Sequence, residues 1–318
     1  MSIKTFRPML AGECKALIDI RFPGYVSPKL DGIRCLLGPT GGAVSRNLKP
    51  IPNMWIRGLL ARLPDEGLLD GELIVGDPQD PASWNTTSSG VMSRDGKPDF
   101  TYYVFDKVVK VDTPFRTRYL KLKEYVKDNQ GKNPWLRLVP HNYVDNLRKL
   151  RIIENKHVDA GFEGIMFRSQ DGHYKFGRST AKEQWLLKIK RFCDAEATII
   201  GFKEKMHNDN AATVSALGYT ERSSHKANKR GAGTLGAFKV RAALADLNRK
   251  DRASDAFNFD LDRNEVEFGV GTGLDDVLRA RIWANQKRYL GKVIKFKYQK
   301  LSPDNEPIFP VFVGFRKD

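Results

Sequence analysis

The chain has 318 residues and a formal net charge of +16, and apolar residues make up 41% of it. This length suffices for two ordinary domains or one large one, and the apolar content suffices for a core, which excludes a disordered tail. No stretch approaches the roughly 20 apolar residues of a membrane span, and the first residues lack the features of a signal peptide. We therefore expect no membrane association and a location inside a cell, in the cytoplasm.

Basic residues exceed acidic ones by a wide margin, with 54 lysines and arginines against 38 aspartates and glutamates. Such a surplus on a chain that can fold indicates a polyanionic partner, most commonly nucleic acid, although a merely soluble basic protein is the alternative.

The cysteines Cys14, Cys35 and Cys193 are scattered and odd in number, which argues against a disulfide framework or a zinc site. Charge provides affinity but no chemistry, so the reaction has to be inferred from motifs.

The first 190 residues predict a domain of mixed α and β structure. Apolar runs bounded by turn residues predict strands at residues 32–37, 68–75, 101–105, 164–168 and 184–189. A helix is predicted at residues 53–63, because apolar residues there recur on one face. A second helix is predicted at residues 144–159, and it ends before Gly161, which suits a helix C-terminus.

Strand-like segments dominate beyond residue 191. They lie at residues 195–202, 236–241, 265–270, 292–298 and 309–315, with one helix at residues 275–290 before Gly291. Five strands and one helix predict a small Greek-key barrel of the OB type. The predicted fold class is therefore α+β, with a mixed α/β domain at residues 1–191 and an OB-fold β-barrel domain at residues 192–318.

A polar insertion occupies residues 204–233 of the second predicted domain. It is rich in serine, asparagine, glycine and basic residues and lies between two predicted strands. A loop of this length inside a compact domain is usually functional or disordered.

Two basic segments carry residue types suited to phosphate chemistry. Lys29 precedes Asp31 and Gly32 at a predicted strand end, where its amine can meet a phosphorus centre, and Arg34 can bind phosphate or sugar oxygens. A surface turn of no function explains this short pattern at least as well. The segment at residues 45–52 includes Arg46 and, considered alone, has the composition of a polar turn before a helix.

Three further segments add carboxylates and lysines. Asp70 and Glu72 alternate on a strand and can together hold ribose hydroxyls or a divalent metal, although a strand-entry turn is the simpler interpretation. Glu163 begins an apolar strand at a position where it can meet a metal. Lys188 and Lys190 also alternate; they form either a solvated strand face or a clamp on an α-phosphate that lowers the pKa of a neighbouring lysine nucleophile.

Taken in chain order, these segments resemble those of covalent nucleotidyltransferases, and specifically of ATP-dependent DNA ligases of the small chlorella-virus type. The resemblance covers nearly the whole chain and includes long stretches, notably residues 45–53, 172–180 and 194–200. It implies a nucleotidyltransferase (adenylylation) domain similar to ATP-grasp enzymes, followed by the OB-fold domain. It also implies ATP as cofactor, Mg²⁺ or Mn²⁺ as metal, and nicked duplex DNA as partner.

The resemblance implies roles for the basic residues of the site. Lys29 is expected to attack the α-phosphate of ATP and carry AMP. Lys188 and Lys190 are expected to bind that phosphate. Arg34 and Arg46 are expected to contact AMP and the 5′-phosphate of the nick.

It also implies roles toward the nucleoside, the metal and the leaving group. Glu72 is expected to bind the ribose, and Phe105 to stack on adenine, although without the resemblance Phe105 is more simply a core residue. Glu163 is expected to act with the metal and Arg178 to engage the 5′-phosphate. Arg316 lies in the last four residues, which resemble the motif that orients the leaving pyrophosphate.

The resemblance further implies a monomer that closes around DNA, with residues 204–233 as a latch. An RNA ligase or an mRNA-capping guanylyltransferase shares the lysine motif and is the nearest alternative. A catalytically silent OB-fold nucleic-acid-binding protein is a further alternative from another class.

Overall fold

The structure is a computed structural model that describes residues 7–14, 16–38, 42–247, 265–302 and 304–316. The chain divides into two compact units. The first combines Met1–Lys190 with Val214–Thr220, and the second combines Arg191–Thr213 with Glu221–Asp318. None of the helices within the described ranges is both long and apolar enough to cross a membrane.

The first unit mixes strands and helices along the chain. Its strands are β1 (Met9–Leu10), β2 (Gly12–Glu13), β3 (Gly24–Pro28), β4 (Ile33–Gly38), β5 (Gly42–Ser45), β6 (Leu68–Val75), β7 (Phe100–Val108), β8 (Leu136–Leu138), β9 (Asn142–Val144), β10 (Gly164–Ser169), β11 (Gly177–Arg178) and β12 (Leu186–Lys190). Its α-helices are α1 (Met54–Leu60), α2 (Ser83–Met92), α3 (Phe115–Asn129) and α4 (Leu147–Asp159). A short 3-10 turn covers Leu17–Asp19.

Two five-stranded sheets organise this unit. One has the strand order β2-β12-β10-β3-β9 and the other the order β5-β4-β6-β7-β8. The largest apolar cluster joins the second sheet to its helices, with Ile56 and Leu122 packed in the same cluster as Leu73. A smaller cluster joins Leu150 of α4 to Ile165 of the first sheet. Burial of each such side chain contributes about 1.5–3 kcal/mol, so the two clusters fix the strands that carry the site.

Asparagine side chains set the starts of two helices. Asn53 precedes α1 and accepts a hydrogen bond from the backbone N–H of Ile56, and Asn146 precedes α4 and accepts one from Lys149. Such caps satisfy N–H groups that lack partners in the first turn. Helix α4 ends before Gly161, whose φ is +91°, as the sequence predicts.

The rest of the chain is dominated by strands. These are β13 (Cys193–Asn208), β14 (Ala212–Val214), β15 (Thr220–Arg222), β16 (Lys229–Ala243), β17 (Glu265–Val270), β18 (Val293–Tyr298) and β19 (Val311–Phe315). The α-helices are α5 (Leu244–Leu247), α6 (Asp276–Ala284) and α7 (Gln286–Tyr289), and a 3-10 turn covers Lys226–Asn228. The single predicted helix at residues 275–290 is thus interrupted at Asn285.

The second unit contains one five-stranded sheet in the order β17-β16-β13-β18-β19. Phe238, Phe296 and Ile282 are fully buried in its core. An isolated bridge joins Thr272 to Val311, next to the two edge strands. In the part of the chain that the structure describes, the strands do not close further, so the predicted β-barrel is corrected to an open sheet.

The insertion at residues 204–233 is largely β structure. Strands β13 and β16 continue their ladder into it, with His207 opposite Arg230, and β14 pairs with β15 nearer its tip. The side chain of Asn210 donates to the carbonyl oxygens of Ser223 and His225 and so ties the base of this hairpin. Of the two alternatives for this segment, functional or disordered, the paired strands argue against disorder.

Candidate active site

One cleft in the first unit, with a volume of about 340 Å³, brings together most of the residues singled out from the sequence. The candidate residues that line it are Lys29, Arg34, Arg46, Glu72, Phe105, Arg178 and Lys188. Their positions in the sequence span about 160 residues, so the two sheets, rather than local sequence, assemble the site. Its size suits a small-molecule ligand.

Lys29 follows β3 directly and lines the cleft. Its backbone N–H donates to the carbonyl oxygen of Gly164 at 2.9 Å, which ties it to the start of β10. Gly32 lies so close to β6 that a Cβ there would collide with the carbonyl oxygen of Leu73. Glycine is therefore required in the turn that follows the lysine.

The carboxylate of Glu163 contacts two lysines of the site. One oxygen accepts a hydrogen bond from Nζ of Lys29, and the other pairs with Nζ of Lys190. Burial acts to raise the pKa of Glu163, but the two ammonium groups, Lys29 foremost, hold that pKa below its ordinary value. Glu163 is therefore an anion that fixes both amines.

Lys188 and Lys190 lie on β12, which runs antiparallel to β10. Lys188 is opposite Met166 and Lys190 is opposite Gly164. Because side chains alternate along a strand, the two lysines lie on the same face. Lys188 lines the cleft, and Lys190 reaches Glu163.

The buried carboxylate of Asp70 fixes the guanidinium group of Arg34. Its Nε donates to Asp70 at 2.8 Å, and its second nitrogen donates to the other carboxylate oxygen at 2.5 Å. Tyr174 donates its hydroxyl to the same Asp70 at 2.7 Å. Burial acts to lower the pKa of Arg34, but Asp70 raises it above its ordinary value, so the guanidinium stays charged.

The predicted metal role of Asp70 stays a prediction, but the surroundings of this side chain favour a different role. The Asp70 side chain is fully buried, and both of its oxygens accept hydrogen bonds, from Arg34 and Tyr174. Asp70 and Glu72 alternate on β6, but only Glu72 lines the cleft. Asp70 therefore positions Arg34 and does not face the cleft as a ligand.

Phe105 enters the cleft because β7 carries a bulge. Asp70 pairs with Asp106 and the next residue, Gly71, pairs with Val104, so Phe105 is the extra residue between them. Bulges of this kind redirect a side chain and are common beside active sites. The Phe105 ring lies 5.4 Å from the guanidinium carbon of Arg34.

Glu72 is the carboxylate that lines the cleft opposite Arg34 on the neighbouring strand. The two residues are directly paired across β4 and β6. Burial raises the pKa of Glu72 to about 7, against the opposing effects of Arg34 and Lys29. Its carboxylate is poised to accept hydrogen bonds from a ligand that enters the cleft.

A second buried ion cluster, formed by Asp106, Arg118 and Arg168, lies beside Phe105. Asp106 accepts hydrogen bonds from Arg118 at 2.8 and 3.1 Å and from Arg168 at 2.7 Å. Burial acts to raise the pKa of Asp106, but the two guanidinium groups hold it below its ordinary value. Arg168 lines the cleft and lies 5.5 Å from the ring of Phe105. Two guanidinium groups therefore lie within 5.5 Å of the Phe105 ring centre.

Arg46 lies in the turn that follows β5 and stacks on an aromatic ring. Its guanidinium carbon is 5.3 Å from the ring centre of Tyr219, which belongs to the same compact unit. The Ser45 hydroxyl donates to the carbonyl oxygen of Leu217 at 2.9 Å. The tip at residues 214–220 therefore packs beside Arg46 and contributes Tyr219 to the cleft.

The two remaining candidate arginines lie in different units. Arg178 lines the cleft and donates to the carbonyl oxygen of Ala11 at 2.7 Å. Arg316 belongs to the second unit, where it donates to Glu196 at 3.0 Å. Its role toward pyrophosphate stays a prediction, and residues 317 and 318 of the same motif lie outside the described residues.

A divalent metal is the last predicted component. Over the described ranges, no group of three or more histidine, cysteine, aspartate or glutamate side chains could hold a metal ion. Mg²⁺ at nucleotide sites is commonly held by one or two carboxylates together with substrate phosphates. The Glu163 side chain is 7% exposed and pairs with both lysines, so it would hold Mg²⁺ together with substrate phosphates by exchanging one ammonium contact for the ion.

Several lining residues had no predicted role. They include Ser27, Val139, His141, Met166, Arg168 and Tyr219. Arg168 and Met166 follow Glu163 on a strand of the expected kind, so alternation along that strand could have indicated them. His141 and Tyr219 lie in segments without regular pattern, and nothing in the sequence places them at the cleft.

Family comparisons agree with this geometry. Residues 8–190 match the family described as the ATP dependent DNA ligase domain. Residues 228–316 match the family described as the DNA ligase OB-like domain. The two matches confirm the predicted order, in which an adenylylation domain precedes an OB-type domain.

Solved structures and curated relatives give the same result. Chlorella virus DNA ligase-adenylate is 32% identical, with 98% of this chain and 99% of that chain covered and a TM-score of 0.53. A structure from a study of Lig E DNA ligases shares the fold at 22% identity, with 98% and 99% covered and a TM-score of 0.68. The DNA ligase of Enterobacteria phage T6 is 23% identical over 330 residues, covering 87% of this chain and 60% of the phage protein. The chain thus spans about 60% of the length of that relative.

Proposed function

Because the chain belongs to the ATP-dependent DNA ligase family, we propose that it is an ATP-dependent DNA ligase that seals 3′-hydroxyl/5′-phosphate nicks in duplex DNA. The observation that carries this proposal is the contact of one carboxylate, Glu163, with both Lys29 and Lys190 beside the cleft. A lysine held in this way beside a nucleotide-sized cleft is suited to form a covalent bond with phosphorus.

In the first step, Nζ of Lys29 attacks the α-phosphorus of ATP. A nitrogen–phosphorus bond forms, the bond to the β-phosphate breaks, and pyrophosphate leaves. Lys188 and Lys190 neutralise charge on the reacting phosphate. Because the phosphates compete with Glu163 for Lys190, Glu163 becomes a better acceptor for the proton that Lys29 loses. Arg316 is proposed to orient the leaving pyrophosphate.

The nucleoside is held by the wall around β6 and β7. Phe105 stacks on the adenine, and Glu72 accepts hydrogen bonds from the ribose hydroxyls. Arg34, fixed by Asp70, contacts the AMP without reorganisation. Glu163 would help to hold a Mg²⁺ ion, which would supply further charge neutralisation.

In the second step, AMP moves from Lys29 to the 5′-phosphate of the nick, which regenerates the amine. In the third step, the 3′-hydroxyl attacks that phosphate, the phosphodiester forms, and AMP leaves. Arg46 and Arg178 line the cleft and are proposed to hold the 5′-phosphate. These steps depend mainly on positioning and charge neutralisation.

DNA is the proposed partner because the chain carries a net charge of +16. We propose that the protein acts as a monomer that closes around DNA. Residues 204–233 are proposed to act as a latch; their hairpin structure and the stacking of Arg46 on Tyr219 support this role.

The test is incubation with α-labelled ATP and Mg²⁺, followed by addition of nicked duplex DNA. Bound AMP is first removed with pyrophosphate. Label is expected on the wild type but not on Lys29→Ala, and the nick is then sealed. Lys149→Ala is the matched control, because Lys149 forms an exposed pair with Asp145. Label from GTP instead of ATP would support a capping guanylyltransferase, and label from neither nucleotide would support a silent binding protein.

A further inference from the structure

His141 is a cleft residue that the proposed mechanism does not use. It follows β8, is 9% exposed and lines the cleft. Its ring centre lies 4.7 Å from that of Tyr119 and 5.1 Å from that of Phe115. Its backbone N–H donates to the hydroxyl of Tyr119 at 2.9 Å. The imidazole therefore has one fixed orientation.

The hydrogen bonds of the ring fix its tautomer. Nδ1 of His141 lies 2.9 Å from the carbonyl oxygen of Val139, which can only accept, so Nδ1 carries the hydrogen. Burial, and then the charge of Arg168, lower the pKa of His141 to about 3. The ring is therefore neutral near pH 7, and Nε2 is a bare acceptor.

That acceptor has no partner. Nε2 of His141 is buried and makes no hydrogen bond with any of the described residues. A buried polar group without a hydrogen-bond partner is destabilising, and such groups are rare in native structures. A group that enters the cleft and donates a hydrogen bond there would remove this destabilisation.

His141 lines the same cleft as Phe105, the proposed partner of the base. Arg168 connects the two positions: its guanidinium carbon is 5.5 Å from the ring of Phe105 and 4.8 Å from the ring of Phe115. Phe115 in turn contacts His141. A purine stacked on Phe105 would therefore lie in the same cleft as this acceptor.

We propose that Nε2 of His141 accepts a hydrogen bond from the exocyclic amine of adenine and so selects ATP over purine nucleotides without that amine. This inference rests on the proposed function, since it names the base specificity of the same site. The 6-amino group of adenine is a donor, whereas guanine presents a carbonyl oxygen at that position. Because the contact with Val139 keeps Nε2 of His141 as an acceptor, Nε2 can bind the amino group of adenine but is repelled by the carbonyl oxygen of guanine.

The experiment compares ATP with purine riboside triphosphate, which lacks only the 6-amino group. Both are used with a labelled α-phosphate, and kcat and KM are measured for transfer to Lys29 after removal of bound AMP. In the wild type, we expect the KM for purine riboside triphosphate to exceed that for ATP by about threefold to tenfold, the value of one neutral hydrogen bond. The two kcat values should be similar.

His141→Leu should bring the ratio of the two KM values close to one. His141→Met is measured in parallel, so that the result does not depend on the folding of one variant. His157→Leu is the matched control, because His157 is equally buried and its Nε2 also lacks a partner, but it lies on α4 and does not line the cleft. The control should keep the wild-type ratio.

A ratio that is the same in the wild type and in both His141 variants overturns the inference. A ratio of one in the wild type also overturns it, because the amine then contributes nothing. Failure of the proposed function is a different result: the wild type would take no label from ATP at all.

Discussion

Lys29 forms a side-chain ion pair with Glu163 and a backbone hydrogen bond with the residue that follows Glu163. The Nζ of Lys29 pairs with the Glu163 carboxylate, and the Lys29 backbone N–H donates to the carbonyl oxygen of Gly164, the next residue. The proposed nucleophile is therefore fixed both at its backbone and at its amine. Glu163 extends this control to Lys190, so removal of its charge should affect two amines together.

Glu163→Gln should slow formation of the lysyl-AMP by about 100-fold, the scale of one lost electrostatic contact in an active site. Glutamine keeps the size of the side chain but cannot hold two ammonium groups as an anion. The measurement is the single-turnover rate of label transfer from α-labelled ATP. Asp145→Asn, which removes an exposed partner of Lys149, is the control and should leave the rate unchanged. Equal rates for Glu163→Gln and wild type would contradict the assigned role.

Asp70→Asn should destabilise the fold by about 3 kcal/mol, because it leaves the largely buried Arg34 guanidinium without its counter-charge. The measurement is urea unfolding. If Asp70 positions Arg34 and is not a metal ligand, the Mg²⁺ concentration for half-maximal label transfer should not change. A large rise in that concentration would restore the metal role. Asp171→Asn, in an exposed pair with Arg116, should be nearly neutral in both measurements.

Phe105→Leu should raise the KM for ATP about fivefold or more, because loss of stacking on a base costs about 1–3 kcal/mol. The kcat for label transfer should change less, since Phe105 is remote from the phosphate. Phe100→Leu is the control: Phe100 stacks on Trp135 in the core of the same unit, so this change should lower the melting temperature and not raise the KM. An unchanged KM in Phe105→Leu would return Phe105 to a packing role.

Strand and helix patterns predicted most elements that carry the site. β6 has the predicted bounds, and the alternation of Lys188 and Lys190 on β12 is as expected. Helix α3 was missed, although its buried residues Phe115, Tyr119, Leu122 and Val126 recur at helical spacing. Its charged exposed face hid that pattern. The predicted roles of the site residues came from the family resemblance, because the hydrophobic pattern alone left these roles open.

The parts that could not be predicted depend on contacts between distant segments. Alternation placed Asp70 and Glu72 together, but the partners of Asp70 are Arg34 and Tyr174, from other strands and loops. The bulge at Phe105 arises from the pairing of β6 with β7 and has no local signature. His141 reaches the cleft only because α3 and β8 pack around it. Tertiary packing determines the partners of Asp70, the bulge at Phe105 and the position of His141, and the periodicity of the local sequence does not encode such packing.

The buried carboxyl of Glu72 makes a prediction about pH. Its pKa is raised from 4.5 to about 7 in the folded protein, so the folded state binds a proton that the unfolded state has released between these values. The contribution of Glu72 to stability is therefore fully present below about pH 4.5 and is lost as pH rises through about 7. The free energy of unfolding should fall by at most about 3 kcal/mol over this range.

Urea unfolding of the wild type and of Glu72→Gln, without nucleotide, isolates this contribution from that of other groups, such as Asp106, whose pKa is lowered and which acts in the opposite sense. The free energy of unfolding of the wild type minus that of Glu72→Gln should fall between pH 4.5 and 7 and level off above pH 7. A difference that stays constant across this range would show that Glu72 titrates normally in the folded state. A difference that rises with pH would mean that Arg34 and Lys29 stabilise the ionised form more than burial opposes it.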